Sequence, residues 1–482
     1  MPHVVTRLLR HDAEILLTRR SDAVGTYQGR WAGVSGYVEG DPADALDDAR
    51  REIREEIGRT DARLVRRGPP LDVVDGDREW TVHPFLFSLS DRAIDPNEEL
   101  AATEWAPPTA MLRRETVPGL WIAYRRVGPT VETIRTDADH GAATLSIRAL
   151  EVLRDVSGAV AAGTADAAAD GDTLAEGDET IEGDAPAEGD ATDGWRRVRQ
   201  IARDLRAVRP GMAAVIVRID AAMAGSDGPA AVHEAALDGI ESALRAADAA
   251  AAAGAERLAD DAVVATLSRS GTVEATLDLA APSVIAGESR PAREGVGVAE
   301  RLAASGLDVT LTTDAALPAL VACAPASADD DASDGGADSD PDGHATTTPA
   351  DLGLDATGLP PGFDGIDAVL VGADAVLADG RVVNKTGTRA VSVAAARAGV
   401  PVYVVATRAK VRPDRTVHGE ATDPASVYDG EAALRVASPR FDVTPADCVT
   451  TVLTEDGPLD RDAIRRVAAE HRARAAWVDA VD

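Results

Sequence analysis

Residues 366–410 read IDAVLVGADAVLADGRVVNKTGTRAVSVAAARAGVPVYVVATRAK, and this stretch most narrows the folds open to the chain. The apolar run 368–371 has the length and composition of a buried strand, and it ends in Gly372-Ala373-Asp374. A second such run, 402–406, follows an Ala-rich helical segment at 392–398, so the order is strand, helix, parallel strand. Asp374 is thereby placed at the carboxyl edge of a strand, where open α/β sheets bind ligands. Between the two strands, Asn384-Lys385-Thr386-Gly387-Thr388 leads into the helix, whose first amides are expected to hold a phosphate.

Lysine usage points the same way. Of 49 Lys plus Arg, only Lys385 and Lys410 are lysine, and both fall in this stretch. A compact ammonium sits at two strand-edge loops where an arginine fork would not replace it sterically. The pattern of Gly372-Ala373-Asp374, a short turn, Asn384 to Thr388 and a later Lys410 resembles the family of initiation factor 2B alpha, beta and delta subunits. That family includes ribose-1,5-bisphosphate isomerase and methylthioribose-1-phosphate isomerase. Further matches are His140-Gly141-Ala142, Arg209-Pro210-Gly211-Met212, Ser289-Arg290-Pro291 with Glu294-Gly295, Thr313 to Ala316, and Thr454-Glu455 with Gly457.

The resemblance implies a pocket for a phosphorylated sugar or nucleotide, formed by Asp374, Asn384, Lys385, Lys410, Arg209 and Ser270, with Gly271 and Thr272 as a second anion contact. In the family's isomerases a cysteine and the aspartate of this pattern move the proton; here Ser268 occupies the cysteine position. A hydroxyl has a far higher pKa than a thiol and is poorly suited to that transfer. The expectation is binding without isomerisation, as in the non-catalytic subunits. An isomerase that manages with Ser268 and Asp374 is the competing reading.

At the other end of the chain, runs 4–9 and 14–18 flank His11-Asp12-Ala13 and read as a hairpin, followed by a Gly-interrupted strand at 31–38. Asp41 and Pro42 open a helix that Gly58 closes. Ala49, Ile53 and Ile57 share its inward face, while Glu52, Glu55 and Glu56 converge on another. Three like charges on one face repel, which either a solvated acidic surface or a divalent cation relieves; oxygen ligands favour Mg²⁺ or Mn²⁺.

Gly36, Arg51, Glu52, Ile53, Glu55, Glu56 and Gly58 resemble the Nudix box, and the resemblance extends over about the first 115 residues. It departs from the family pattern in one extra residue between Gly36 and Arg51, in Asp41 or Asp44 replacing the first-turn glutamate, and in Arg59 after the last glycine. The resemblance implies an α/β/α sandwich, Mg²⁺ (or Mn²⁺) held by Glu52, Glu55 and Glu56, and Arg51 orienting a glutamate. Glu98, Glu99 and Glu104 are candidates for a further acid from the later loop.

The 482 residues imply two or three domains. They divide as a Nudix-like domain at 1–118, a helical subdomain at 119–260, and a doubly wound parallel-sheet, Rossmann-like domain at 261–482. The last is read from strands expected at 262–267, 283–286, 309–312, 319–323, 368–371 and 402–406. Acidic, low-complexity runs at 157–194 and 324–352 are expected to be disordered insertions. A formal net charge of -33 argues against direct nucleic-acid or anionic-membrane binding and suits a surface solvated in concentrated salt, as in a halophilic cytoplasm. Two cysteines, Cys323 and Cys448, are too few for a disulfide framework, and neither a leader nor a membrane span is apparent. The resulting expectation is a cytoplasmic Nudix-type hydrolase of a nucleoside diphosphate derivative fused to a ligand-binding domain, forming a homo-oligomer. A regulatory, translation-associated binding protein is the alternative from another class.

Overall fold

The computed structural model describes residues 1–164, 181–182, 191–323, 348, 352, 359 and 363–479. Most of the two acidic runs expected to be disordered therefore lies outside the described residues. At the ends of the first run, 157–161 and 191–194 are helical.

The N-terminal unit is built on β1 (His3–His11), β2 (Glu14–Arg20), β3 (Trp31–Ala32), β4 (Val34–Tyr37), α1 (Ala45–Ile57), β5 (Arg63–Arg67), β6 (Leu71–Asp75), β7 (Arg78–Ser88) and β8 (Leu100–Ala106). β1 and β2 form the expected hairpin, with Arg10 opposite Ile15, and β1 pairs in parallel with β7. Asp41 caps a single 3-10 turn at Pro42–Asp44, from which α1 runs to a left-handed Gly58. Ala45, Ala49, Ile53 and Ile57 pack on Val5, Leu9, Phe85 and Phe87. That contact fixes which face of α1 carries its acids. α2 (Leu120–Arg125) lies beyond residue 118, yet Leu120, Trp121 and Tyr124 join the core of Leu8, Ile15 and Leu17.

Next come α3 (Val131–Thr136), α4 (Ala142–Ala161), β9 (Ile181–Glu182), α5 (Ala191–Val208), α6 (Ala213–Met223) and α7 (Pro229–Ala255). The helices share one core, including Leu145, Leu150, Leu153, Ile201, Ile219 and Val232. Helix α4 also meets the N-terminal unit through buried polar contacts: Arg10 with Glu151, and Arg154 Nη1 donating to the Ala13 carbonyl at 2.9 Å.

The last region contains β10 (Val263–Leu267), α8 (Gly271–Ala280), β11 (Ser283–Gly287), α9 (Glu294–Ala304), β12 (Val309–Thr312), α10 (Leu317–Val321), β13 (Ala368–Val371), β14 (Ala375–Val376), β15 (Val382–Lys385), α11 (Thr388–Ala398), β16 (Val402–Val405), β17 (Phe441–Thr444), β18 (Thr451–Thr454), β19 (Gly457–Leu459) and α12 (Arg461–Arg474). The main sheet has the order β12-β11-β10-β13-β16-β18-β19. Its first six strands are parallel and β19 is antiparallel. The doubly wound sheet is thus present, and the strand order reverses between β10 and β13.

One expected strand is corrected. Residues 317–321 form helix α10, with Pro318 in its first turn and Leu317, Leu320 and Val321 buried at helical spacing. A short apolar run alone does not separate the two states. The sixth parallel strand is instead β18. Among the described residues no helix is long and apolar enough to cross a membrane.

Candidate functional sites

In the N-terminal unit, a cavity of about 370 Å³ opens beside α1. Glu52, Glu99 and Gly36 line it, together with Tyr27 and Trp80. Gly36 is required by proximity, since a Cβ there would lie 2.4 Å from the Glu52 carboxyl carbon. The glycine of the motif therefore lets strand β4 approach the first glutamate.

Arg51 organises the acids around it, lying 2.8 Å from Asp48, 3.1 Å from Glu39, 3.2 Å from Glu52 and 3.9 Å from Glu55. Glu55 is 60% exposed, whereas Glu56 is only 5% exposed and accepts a 3.0 Å hydrogen bond from Arg7 Nη2. Burial pushes the Glu56 carboxyl up to about 7; Arg7 opposes this, and the negative charges of Glu52 and Glu99 add to it.

Among the described residues no group of three or more His, Cys, Asp or Glu forms a ready-made metal cage. Glu52, Glu55 and Glu56 share α1 but differ in what they face. The donor chemistry nevertheless fits a hard divalent cation, because the donor atoms offered are carboxylate oxygens and the charges of Glu52 and Glu99 are felt at Glu56. Of the later-loop candidates, Glu99 borders the cavity, while Glu104 is engaged by Arg114 at 2.7 Å. The Glu98 backbone carbonyl accepts from Ser21.

The aromatic pair was not legible in the sequence. Tyr27 and Trp80 have ring centroids 5.6 Å apart, and the Tyr27 phenol donates to Asp75 at 2.7 Å. Tyr27 holds a left-handed backbone, φ 52°, which is costly for a bulky residue. Its hydroxyl stays protonated, raised to about 12 by burial and by Asp75.

In the C-terminal region, Ser268 follows β10 and Asp374 follows β13, so both lie at the switch point of the sheet. Gly372 lets the two loops meet, because a Cβ there would lie 2.7 Å from Ser270 Oγ. Ser270 caps α8, which starts at Gly271 and Thr272. Burial raises the Asp374 carboxyl, opposed by Lys410, Arg440 and Lys385. Burial lowers the Lys410 ammonium, which donates to the Ala373 carbonyl. Asn384 donates to Thr388 at 3.1 Å.

Several groups expected to bind anions have protein partners. Lys385 Nζ donates to both carboxyl oxygens of Glu294, each at 3.0 Å. At the start of α11, where the amides of Gly387 and Thr388 are expected to hold a phosphate, the amides of Gly387 and Arg389 donate to Asp442 at 2.8 and 3.1 Å. That carboxylate comes from β17, a partner no local spacing reveals. Arg209 likewise has protein partners, donating to the carbonyls of Ile134 at 3.0 Å and Asp137.

Residues 138–323 and 361–461 match the model of the Initiation factor 2 subunit family, and residues 1–127 match that of the NUDIX domain. Ribose 1,5-bisphosphate isomerase of Haloferax volcanii is 41% identical over 108 residues, 20% of this chain and 33% of that protein. Ribose 1,5-bisphosphate isomerase of Archaeoglobus fulgidus is 29% identical over 184 residues, 36% of this chain and 45% of the relative. A probable bifunctional methylthioribose-1-phosphate isomerase/methylthioribulose-1-phosphate dehydratase of Nocardia farcinica is 44% identical over 131 residues, 25% of this chain and 22% of the relative. The chain spans less than half the length of each of these relatives. Among solved structures, the translation initiation factor eIF-2B of Pyrococcus horikoshii OT3 is similar at a TM-score of 0.49 and 21% identity, covering 69% of this chain and 97% of that one.

Proposed function

Because the chain belongs to the Initiation factor 2 subunit family and carries a NUDIX domain ahead of that region, we propose that it is a divalent-cation-dependent hydrolase of a nucleoside diphosphate derivative joined to a module that binds a phosphorylated sugar or nucleotide. The observation that carries this reading is a single cavity lined by both the carboxylates of Glu52 and Glu99 and the aromatic pair of Tyr27 and Trp80. Carboxylates suit a diphosphate's cation, and the Tyr27–Trp80 pair suits a flat nucleobase.

In this reading Glu52, Glu55 and Glu56 hold Mg²⁺ or Mn²⁺, which supplies charge stabilisation to phosphoryl oxygens. Arg51 fixes the Glu52 carboxylate at 3.2 Å. Glu99 borders the same cavity and takes the proton of the attacking water. Tyr27 and Trp80 stack the base and so set the distance at which the diphosphate meets the acids.

The C-terminal region is read as a binding module because Ser268 stands where an isomerase needs a thiol. Asp374, Ser270, Gly271, Asn384, Lys385 and Lys410 line its pocket, and the protein assembles as a homo-oligomer in the cytoplasm.

The test is phosphate or nucleotide release from a panel of nucleoside diphosphate compounds, in concentrated potassium chloride with Mg²⁺. Turnover by the wild type that Glu55→Gln abolishes supports the hydrolase. A folded protein that binds nucleotides without consuming any of them moves the assignment to a regulatory binding protein.

A further inference from the structure

Arg7 is a fully buried arginine in the middle of β1, between Thr6 and the apolar pair Leu8 and Leu9. Its position is fixed on one side by Nε, which donates to the Val34 carbonyl at 2.8 Å. On the other side Nη2 donates to Glu56 Oε1 at 3.0 Å. Nη1 has no hydrogen-bond partner and lies 3.9 Å from Glu52 Oε2. A buried donor without a partner is costly and marks a group whose place is set by something other than its own satisfaction.

We propose that Arg7 is the positioning residue of the cation site, pinning Glu56 by one oxygen so that Oε2 is presented to a divalent cation shared with Glu52. The proposal rests on the cation-dependent reading of the N-terminal unit. The geometry supports it in two ways. Among the described residues no group donates to Glu56 Oε2, so holding Oε1 leaves the carboxylate half free. The backbone anchor at Val34, two residues before Gly36, ties the guanidinium to the same strand that closes over Glu52. Arg51 does not reach Glu56 in this arrangement, its partners being Glu39, Asp48, Glu52 and Glu55. Glu56 is thus held by Arg7 alone of the two arginines, while Glu52 lies within reach of both.

The experiment is Mn²⁺ binding without substrate, read by the loss of free-ion paramagnetic resonance signal. Groups that orient a ligand from behind typically change metal affinity by about 10- to 100-fold, and Arg7→Met is expected to weaken Mn²⁺ binding within that range. Arg7→Lys, which keeps a cation beside Glu56, should recover part of it. Because Arg7→Met strands a buried carboxylate, Arg7→Met with Glu56→Gln is measured against Glu56→Gln alone. Equal affinities in that pair support the proposal, since Arg7 then acts through Glu56. Unchanged or tighter binding by Arg7→Met, or an equal loss in the Glu56→Gln background, overturns it while leaving the cation site standing. A wild type that does not bind Mn²⁺ overturns both.

Discussion

Tyr124 donates its phenol to Asp155 Oδ2 across 2.7 Å, with both side chains buried. The bond joins α2, packed on the N-terminal core, to α4 of the helical unit. Arg154 supports it from the same helix, its Nε 2.8 Å from Asp155 Oδ1. A junction of this kind makes the two units unfold together, because separating them breaks the buried Tyr124–Asp155 bond and the Arg10–Glu151 pair that cross it. Tyr124→Phe removes one donor and is expected to lower stability by about 1–2 kcal/mol. Calorimetry should show one transition for the described units moving down as a whole. Two transitions, only one of them shifted, would show that the junction is not binding them.

Acid should weaken the same junction. His233 of α7 meets Thr109 Oγ1 at 3.0 Å, and burial lowers its pKa. Its neighbours Glu234 and Asp155 favour the charged ring, while Arg113 and Arg154 oppose it. An unfolded histidine takes its proton near 6.5, whereas this one resists until lower pH. The unfolded chain then binds the extra proton, and stability falls as pH drops below about 6.5, by up to about 1.4 kcal/mol per unit. Glu56 acts in the opposite sense, since its raised pKa makes the folded state the better proton binder between about 4.5 and 7. The informative quantity is therefore the difference between wild type and His233→Gln in urea midpoints at pH 7.5 and 5.5. The variant should lose less stability than the wild type; parallel losses would place the proton elsewhere.

The parts of the fold visible in the sequence were those with local signals. Pro42, Gly58 and the four-residue spacing of Ala49, Ile53 and Ile57 announce α1 by themselves. The runs before Ser268 and Asp374 announce β10 and β13, and with them the switch point. What was not visible depends on partners distant in sequence. Glu52, Glu55 and Glu56 read as one patch, but their environments are set by Arg7 and by a cavity wall containing Glu99. Asp442 reaches the start of α11 from 55 residues away. Arg7 left one faint signal, a charge inside the apolar run of β1.

Glu99 and Glu104 provide a direct contrast within one loop and strand. Glu99 borders the cavity and its charge is felt at Glu56. Glu104 is held at 2.7 Å by Arg114, which lowers its pKa. If Glu99 takes the proton from water, Glu99→Gln should lower cation-dependent turnover by about 10²- to 10⁴-fold with little change in KM. Glu104→Gln should leave turnover within about threefold of the wild type. The reverse order of effects would remove Glu99 as the base.

The Lys385–Glu294 pair bears on whether the C-terminal pocket takes a phosphate. Lys385 is 6% exposed and gives two 3.0 Å hydrogen bonds to the same carboxylate. An incoming phosphate must therefore compete with Glu294 for that ammonium. Exchange of one anion for another gains little, because a charge-assisted hydrogen bond contributes about 1.5–3 kcal/mol in either case. Glu294→Gln leaves a neutral amide at the position and frees the charge of Lys385. Affinity for ribose 5-phosphate, followed by titration calorimetry, should then rise by about tenfold or more. Lys385→Met should reduce it and also destabilise the protein, since Glu294 loses its cation. If Glu294→Gln instead weakens binding, Glu294 is a contact to the sugar hydroxyls and not a competitor, and Lys385 serves to hold it in place.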